Sequence, residues 1–209
     1  AGFGVGLAIS GMPAIVEIEF IDFMTLASDA MCNQAAKMRY FFGGQMRVPM
    51  IIRTPIVNRL GLGAQHSQSL EAWLMHVPGL RVIIPSNATY AKGLMIAAIR
   101  DGNPTVFIEH VRLYPNKAPV EEADEPIPLG KLRVAREGKD ATIATYSGMV
   151  KPSLEAAEKL SKEGIECEVL DLRTLAPLDR EGICASVKKT GRLVVAHEAV
   201  KTAGAGAEI

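Results

Sequence analysis

The chain has 209 residues, 48% apolar and 22% charged, and its 23 Lys plus Arg balance its 23 Asp plus Glu to a formal net charge of zero. That is an ordinary globular composition, with no cationic excess to suggest nucleic acid or an anionic membrane surface as partner and no apolar run near the roughly 18 residues of a membrane span. Cys32, Cys167 and Cys184 are odd in number and form no CxxC pair, which indicates free thiols in a reducing compartment and neither a disulfide framework nor a zinc site.

The sequence opens on Ala1-Gly2-Phe3-Gly4-Val5-Gly6, with no initiator Met and no basic leader, and closes on a small-residue stretch (203–209) that reads as a loop entering a helix. Both ends are expected to be cut from a longer protein. Gly2, Gly4 and Gly6 resemble a phosphate loop only weakly, since the third glycine comes one residue early for GxGxxG and no strand precedes it. Close helix packing is the expected use.

Apolar, β-branched runs then predict strands at 14–20, 48–53, 80–84 and 105–109, with helices at 28–38, 69–76 and 89–100 between them. Such alternation predicts a mostly parallel sheet covered on both faces. Residues 113–128 hold Pro115, Pro119, Pro126 and Pro128 together with Glu121, Glu122, Asp124 and Glu125, and read as a linker. Strands at 132–136, 141–145, 166–172 and 193–197 alternate with helices at 152–163 and 180–189 beyond it. The expected fold is α/β, two domains with mostly parallel sheets flanked by helices, spanning 1–112 and 129–209.

Three stretches offer chemistry. Residues 17–23 (EIEFIDF) place carboxylates and aromatics where a strand ends, the edge at which open α/β sheets bind ligands. An aromatic there could stack on a flat heterocycle or simply pack the core. His66 lies in the polar segment GLGAQHSQSLE (61–71) just before a helix, where Ser67 or Ser69 can cap. An imidazole so placed titrates near neutrality and can transfer protons, or it can merely bond loop backbone. The turn AIRDGNP (98–104) is explained by Gly/Asn backbone geometry, and could equally aim carbonyls at a hard cation. His76, His110 and His197 end predicted elements, and no two histidines have HExxH spacing, so a transition-metal centre is not expected.

Together these segments resemble one family. GGQMRVPMIIRTP, GAQHSQSLEAWLMHVPGLRVIIPSN and AAIRDGNPTVFIEH are similar to the pyrimidine-binding domain of thiamine-diphosphate-dependent 2-oxo acid dehydrogenase beta subunits. IPLGKLRVAREGKDATIATYSGMV, LDLRTLAPLD and GAGAEI resemble the transketolase-type C-terminal domain that follows it. The resemblance covers essentially the whole chain, in order.

It implies a beta subunit of the decarboxylating component, acting on pyruvate, a branched-chain 2-oxo acid or acetoin and passing the acyl group to lipoamide. Its partners would be an alpha subunit, a second beta subunit and the lipoyl domain of the acyltransferase component. Thiamine diphosphate would lie between subunits, with alpha holding the diphosphate and magnesium and beta the aminopyrimidine. Phe23 aligns with an aromatic that contacts the aminopyrimidine, and Glu19 with a neighbouring position that is uncharged in several relatives. His66 aligns with the histidine serving acyl transfer. Backbone carbonyls near Met50, Ala98, Asp101 and Asn103 match a monovalent cation site, commonly potassium. The glutamate that activates the pyrimidine nitrogen belongs upstream of Ala1, so the isolated chain is expected to be inactive. The expected location is the cytoplasm, or the mitochondrial matrix in a eukaryote. Another transketolase-group thiamine enzyme and a non-catalytic assembly subunit are the rival readings.

Overall fold

The computed structural model describes residues 1–209 apart from Arg59 and Glu121, the latter falling within the expected linker. Helix α1 (Gly2–Ile9) precedes strand β1 (Ala14–Glu17) and packs closely on it. A Cβ on Gly4 would stand 2.5 Å from Val16 Cγ2, so only glycine permits this approach. Residues 2–6 are thus helix, and the glycine serves packing.

β1 ends at Glu17 and not at residue 20, because the chain bends into a 3-10 turn (Ile21–Phe23) whose Ile21 is fully buried. A continuous helical stretch follows, made of α2 (Met24–Ser28), a π-helical segment (Asp29–Ala35) and α3 (Ala36–Phe41). It extends beyond the predicted 28–38 at both ends. No side chain caps its start, so the usual sequence mark of a helix N-terminus is missing.

Strand β2 (Met50–Ile56) contains Pro55, an unusual residue for an interior strand. The last β1 pairing is Glu17 with Arg53, closed by the Ile18 N–H bond to the Arg53 carbonyl at 2.9 Å. Pro55 lies two residues further on the same edge, where no neighbouring strand requires its N–H. After β2 come α4 (Glu71–Met75), β3 (Arg81–Ile83), α5 (Ala88–Asp101) and β4 (Thr105–His110). The Asn87 side chain caps α5 by accepting from the Tyr90 N–H, and Gly102 at φ 66° ends it in the left-handed region.

Past the 3-10 turn Val111–Leu113 the described residues form no helix or strand until β5 (Arg133–Arg136). This segment is strapped along α5. The Ile127 N–H donates to the Gly93 carbonyl at 3.0 Å, Lys92 pairs with Asp124 at 3.1 Å, and Thr89 Oγ1 donates to the Pro119 carbonyl. Then follow β6 (Ala141–Thr145), α6 (Val150–Ser161), β7 (Cys167–Asp171), β8 (Thr174–Ala176), α7 (Arg180–Thr190), β9 (Leu193–Ala196) and a 3-10 turn (Ala205–Ala207).

The first sheet has the order β1-β2-β4-β3-β8 and the second β5-β7-β6-β9. Pairings are parallel except β3 with β8 and β5 with β7. Val106, Phe107 and Ile108 of β4 are all buried, as strands covered on both faces require. β8 was not expected: it leaves the second half of the chain to edge the first sheet. One apolar cluster accordingly runs from Val5 and Ile52 through Tyr146 and Leu172 to Ile183, so the two halves share a core. No described helix is long and apolar enough to cross a membrane.

Candidate functional site

The carboxyl end of β1 carries the first cluster. Phe20 is extended, and the 3-10 turn after it buries Ile21 and Asp22 while leaving Phe23 half-buried. The loop at 61–69 brings His66 onto both phenyl rings. The imidazole lies 4.8 Å from Phe20 and 5.3 Å from Phe23, the phenyls lie 5.4 Å apart, and all three pairs meet edge to face. This is the geometry that ring quadrupoles favour. The His66 backbone N–H donates to the Gly63 carbonyl at 3.3 Å, and among the described residues neither ring nitrogen has a hydrogen-bond partner.

Two side-chain pairs hold that loop. Asp22 Oδ1 accepts from the Gln68 backbone N–H at 3.3 Å and from Gln68 Nε2 at 2.8 Å, and Asn58 Nδ2 donates to Ser69 Oγ at 2.5 Å. Asp22 Oδ2, Asn58 Oδ1 and Ser67 Oγ are buried without a partner among the described residues. Of the residues read from the sequence, Phe23 and His66 therefore meet. Glu19 lies exposed in the bend after β1, outside the ring cluster. Phe20 and Asp22 belong to the cluster in a way the sequence reading missed. The available signal was a carboxylate between Ile21 and Phe23, a polar residue among apolar ones that must find a partner if buried.

A second polar cluster occupies the junction of the two halves. Tyr146 Oη donates to Glu71 Oε1 at 2.8 Å, and His110 Nε2 meets Glu198 Oε2 at 2.6 Å. His110 Nδ1 accepts the Arg112 N–H at 3.2 Å, so Nε2 carries the proton and donates to Glu198. The ring of His197 stacks on Tyr146 at 6.1 Å. Burial pushes the Glu71 carboxyl above its ordinary range, raises the Tyr146 phenol and lowers His197. Gly148 belongs to this packing, because a Cβ there would stand 2.9 Å from the His110 ring.

The third feature is the end of α5. Ala98 lies in its last turn, where helical carbonyls lack intrahelical partners, and Asp101 and Asn103 follow directly. Ile51 pairs with Thr105, which sets Met50 at the head of β2 beside this turn. Asp101 is partly desolvated, yet the hydrogen bonds from Asn103 at 2.8 Å and Arg81 at 3.1 Å hold its carboxyl below the usual range. Among the described residues no three His, Cys, Asp or Glu side chains converge on a metal position, so a cation here would rely on backbone oxygens.

Comparison with known proteins agrees with this architecture. The acetoin:2,6-dichlorophenolindophenol oxidoreductase subunit beta of Cupriavidus necator is 48% identical over 198 residues, 95% of this chain and 59% of that protein. A mitochondrial pyruvate dehydrogenase E1 component subunit beta-2 of Oryza sativa subsp. japonica is 48% identical over 212 residues, 100% of this chain and 56% of its own length. The chain thus spans little more than half the length of these curated relatives. Among solved structures, a split-gene transketolase described as an inactive beta4 tetramer superposes with a TM-score of 0.83 at 26% identity, over 99% of this chain and 64% of that one. Residues 1–117 match the family model of the transketolase pyrimidine binding domain and residues 130–209 that of the transketolase C-terminal domain, so the chain belongs to the transketolase family in which these two domains stand in tandem.

Proposed function

We propose that the chain works as the beta subunit of the decarboxylating component of a 2-oxo acid dehydrogenase, on pyruvate, a branched-chain 2-oxo acid or acetoin, with acyl transfer to lipoamide. The observation that carries this reading is the contact of Phe23 with His66, 43 residues apart in sequence, on the carboxyl edge of the first sheet. The names of the relatives point the same way. The domains would divide at 113–128.

Thiamine diphosphate would supply the electron sink for cleavage next to a carbonyl. The residues present fit its pyrimidine end: Phe23 offers a half-buried aromatic ring to a flat heterocycle, and Asp22 Oδ2 beside it lacks a partner. Glu19 borders the same edge. Two roles would fall to this chain's side chains. Phe23 would orient the pyrimidine ring, and an unengaged nitrogen of His66 would give a proton to the sulfur of an incoming lipoyl group. The diphosphate and magnesium would belong to the alpha subunit, and a second beta subunit would complete the assembly. Carbonyls near Met50, Ala98, Asp101 and Asn103 would hold potassium. The protein would then act in the cytoplasm, or in the matrix of mitochondria.

The test is reconstitution of the full-length subunit with its alpha partner, thiamine diphosphate and magnesium against a panel of 2-oxo acids and acetoin. Substrate cleavage coupled to lipoamide acylation is the expected result. Transfer of two-carbon units between sugar phosphates would favour another transketolase-group enzyme, and assembly without turnover would favour a structural subunit.

A further inference from the structure

We infer that Asp22 is a positioning residue for His66, acting through Gln68 as a clasp between the β1 turn and the 61–69 loop. The inference rests on the reading of His66 as a proton donor and adds the device that holds it in place.

Asp22 is only 5% exposed, yet it bonds no residue of its own turn through its carboxylate. Both hydrogen bonds reach Gln68, 46 residues away and two positions after His66. The carboxylate sits between Ile21, fully buried, and Phe23, so the anchoring end of the clasp is fixed in the core. The other end is a loop whose Gly61 and Gly63 take φ values of 73° and 86°, which side chains rarely adopt. His66 itself has no side-chain hydrogen bond among the described residues to orient it. Its ring meets the Phe20 and Phe23 rings edge to face, and those contacts exist only while the loop lies against the turn.

The arrangement has a chemical advantage. A histidine oriented through a hydrogen bond at one nitrogen gives up a donor or acceptor to its orienter. Here the orienting bonds fall on Gln68, and both imidazole nitrogens stay available.

The clasp can be tested in the full-length subunit assembled with its alpha partner, using Asp22→Asn, Asp22→Ala and Gln68→Ala. Asn keeps an oxygen able to accept both bonds, Ala removes it, and the Gln68 variant truncates an exposed side chain. The readouts are amide hydrogen exchange of the peptide covering 61–69 and the rate of carbethoxylation of His66, both by mass spectrometry, with kcat and KM for acyl transfer beside them. Loss of a bond to a carboxylate should speed loop exchange and His66 modification by about tenfold in Asp22→Ala, and somewhat less in Gln68→Ala, which keeps the backbone bond. In Asp22→Asn, loop exchange and His66 modification should stay near wild type. In the Ala variants kcat for acyl transfer should fall with KM little changed. Unchanged loop exchange and His66 modification in Gln68→Ala and Asp22→Ala would overturn the clasp, as would loop exchange and His66 modification in Asp22→Asn as fast as in Asp22→Ala. The exchange and labelling readouts need no acyl transfer. If His66→Ala proves harmless to that reaction, the functional reading fails while the clasp is still judged on its own data.

Discussion

His66 and His110 both stand on the carboxyl edge of the first sheet, and they are built for opposite purposes. His110 is 2% exposed, and both its ring nitrogens are spent, one on Glu198 and one on the Arg112 N–H. His66 is half-buried in a glycine-bearing loop, ringed by phenyl edges, with both nitrogens unspent. A satisfied, buried imidazole ties elements together. An oriented but unsatisfied one can exchange protons with a visitor. Under the proposed function, stability would belong to the junction and chemistry to the loop, and the contrast can be broken by mutation.

The largest expected effect is on chemistry. In the full-length assembly, His66→Ala should reduce acyl transfer to lipoamide by about 10²–10⁴-fold, while decarboxylation measured with an artificial electron acceptor falls far less. Thermal stability should change by no more than about 0.5 kcal/mol, as for other partly exposed positions. Equal losses in the two assays would make His66 a cofactor-positioning or structural residue and erase the contrast.

His110→Ala should show the reverse pattern. It removes the buried imidazole that bridges the Arg112 N–H and the Glu198 carboxylate, a change that costs about 1–3 kcal/mol. For a chain of this size that lowers the melting temperature by roughly 2–12 °C, with both enzymatic assays reduced in parallel. A variant that melts like wild type but has lost acyl transfer alone would exchange the roles of the two histidines.

The same contrast explains what the sequence disclosed. The parallel α/β architecture was legible because buried strands are continuous apolar runs, and β4 and β6 fall close to their predicted bounds. β8 was not legible: Thr174, Leu175 and Ala176 are too few to show periodicity, and their partner, β3, lies about 90 residues upstream. His66 was legible from its polar segment ahead of a helix, whereas Phe23 was singled out only through family resemblance, since nothing local distinguishes a stacking phenyl from a core one. Asp22 and the Glu71–Tyr146 pair depend on contacts 46 and 75 residues apart, which no spacing rule encodes.

A smaller effect is expected at the α5 turn, whose candidate ligands for a cation are backbone oxygens and so neither spent nor reactive in the sense of the two histidines. If the carbonyls near Met50, Ala98, Asp101 and Asn103 hold potassium, the folded state gains about 2.7 kcal/mol at a hundredfold excess over Kd. Melting in potassium chloride should then exceed that in a matched choline salt by several degrees and rise with concentration. Equal melting temperatures across the range would remove the cation site.

The smallest effect should be at Glu71, and it tests whether the junction is stabilising through neutral or charged groups. Burial raises the folded-state carboxyl above the ordinary carboxylate range, with the Tyr146 hydrogen bond only partly opposing. A group whose folded pKa is raised binds its proton more tightly in the folded state. Its favourable contribution is complete below the unfolded pKa and is lost as pH rises through the folded one. Glu71→Gln keeps an oxygen to accept from Tyr146 Oη but cannot ionise. The variant should therefore melt like wild type near pH 4 and become progressively more stable than wild type as pH rises toward neutrality, by about 1 kcal/mol or a few degrees. The measurement is a set of thermal melts at fixed ionic strength across that range. A stability difference independent of pH would mean that Glu71 has the same pKa folded and unfolded, and a deficit growing with pH would mean that the junction holds it as a charged partner with a lowered pKa.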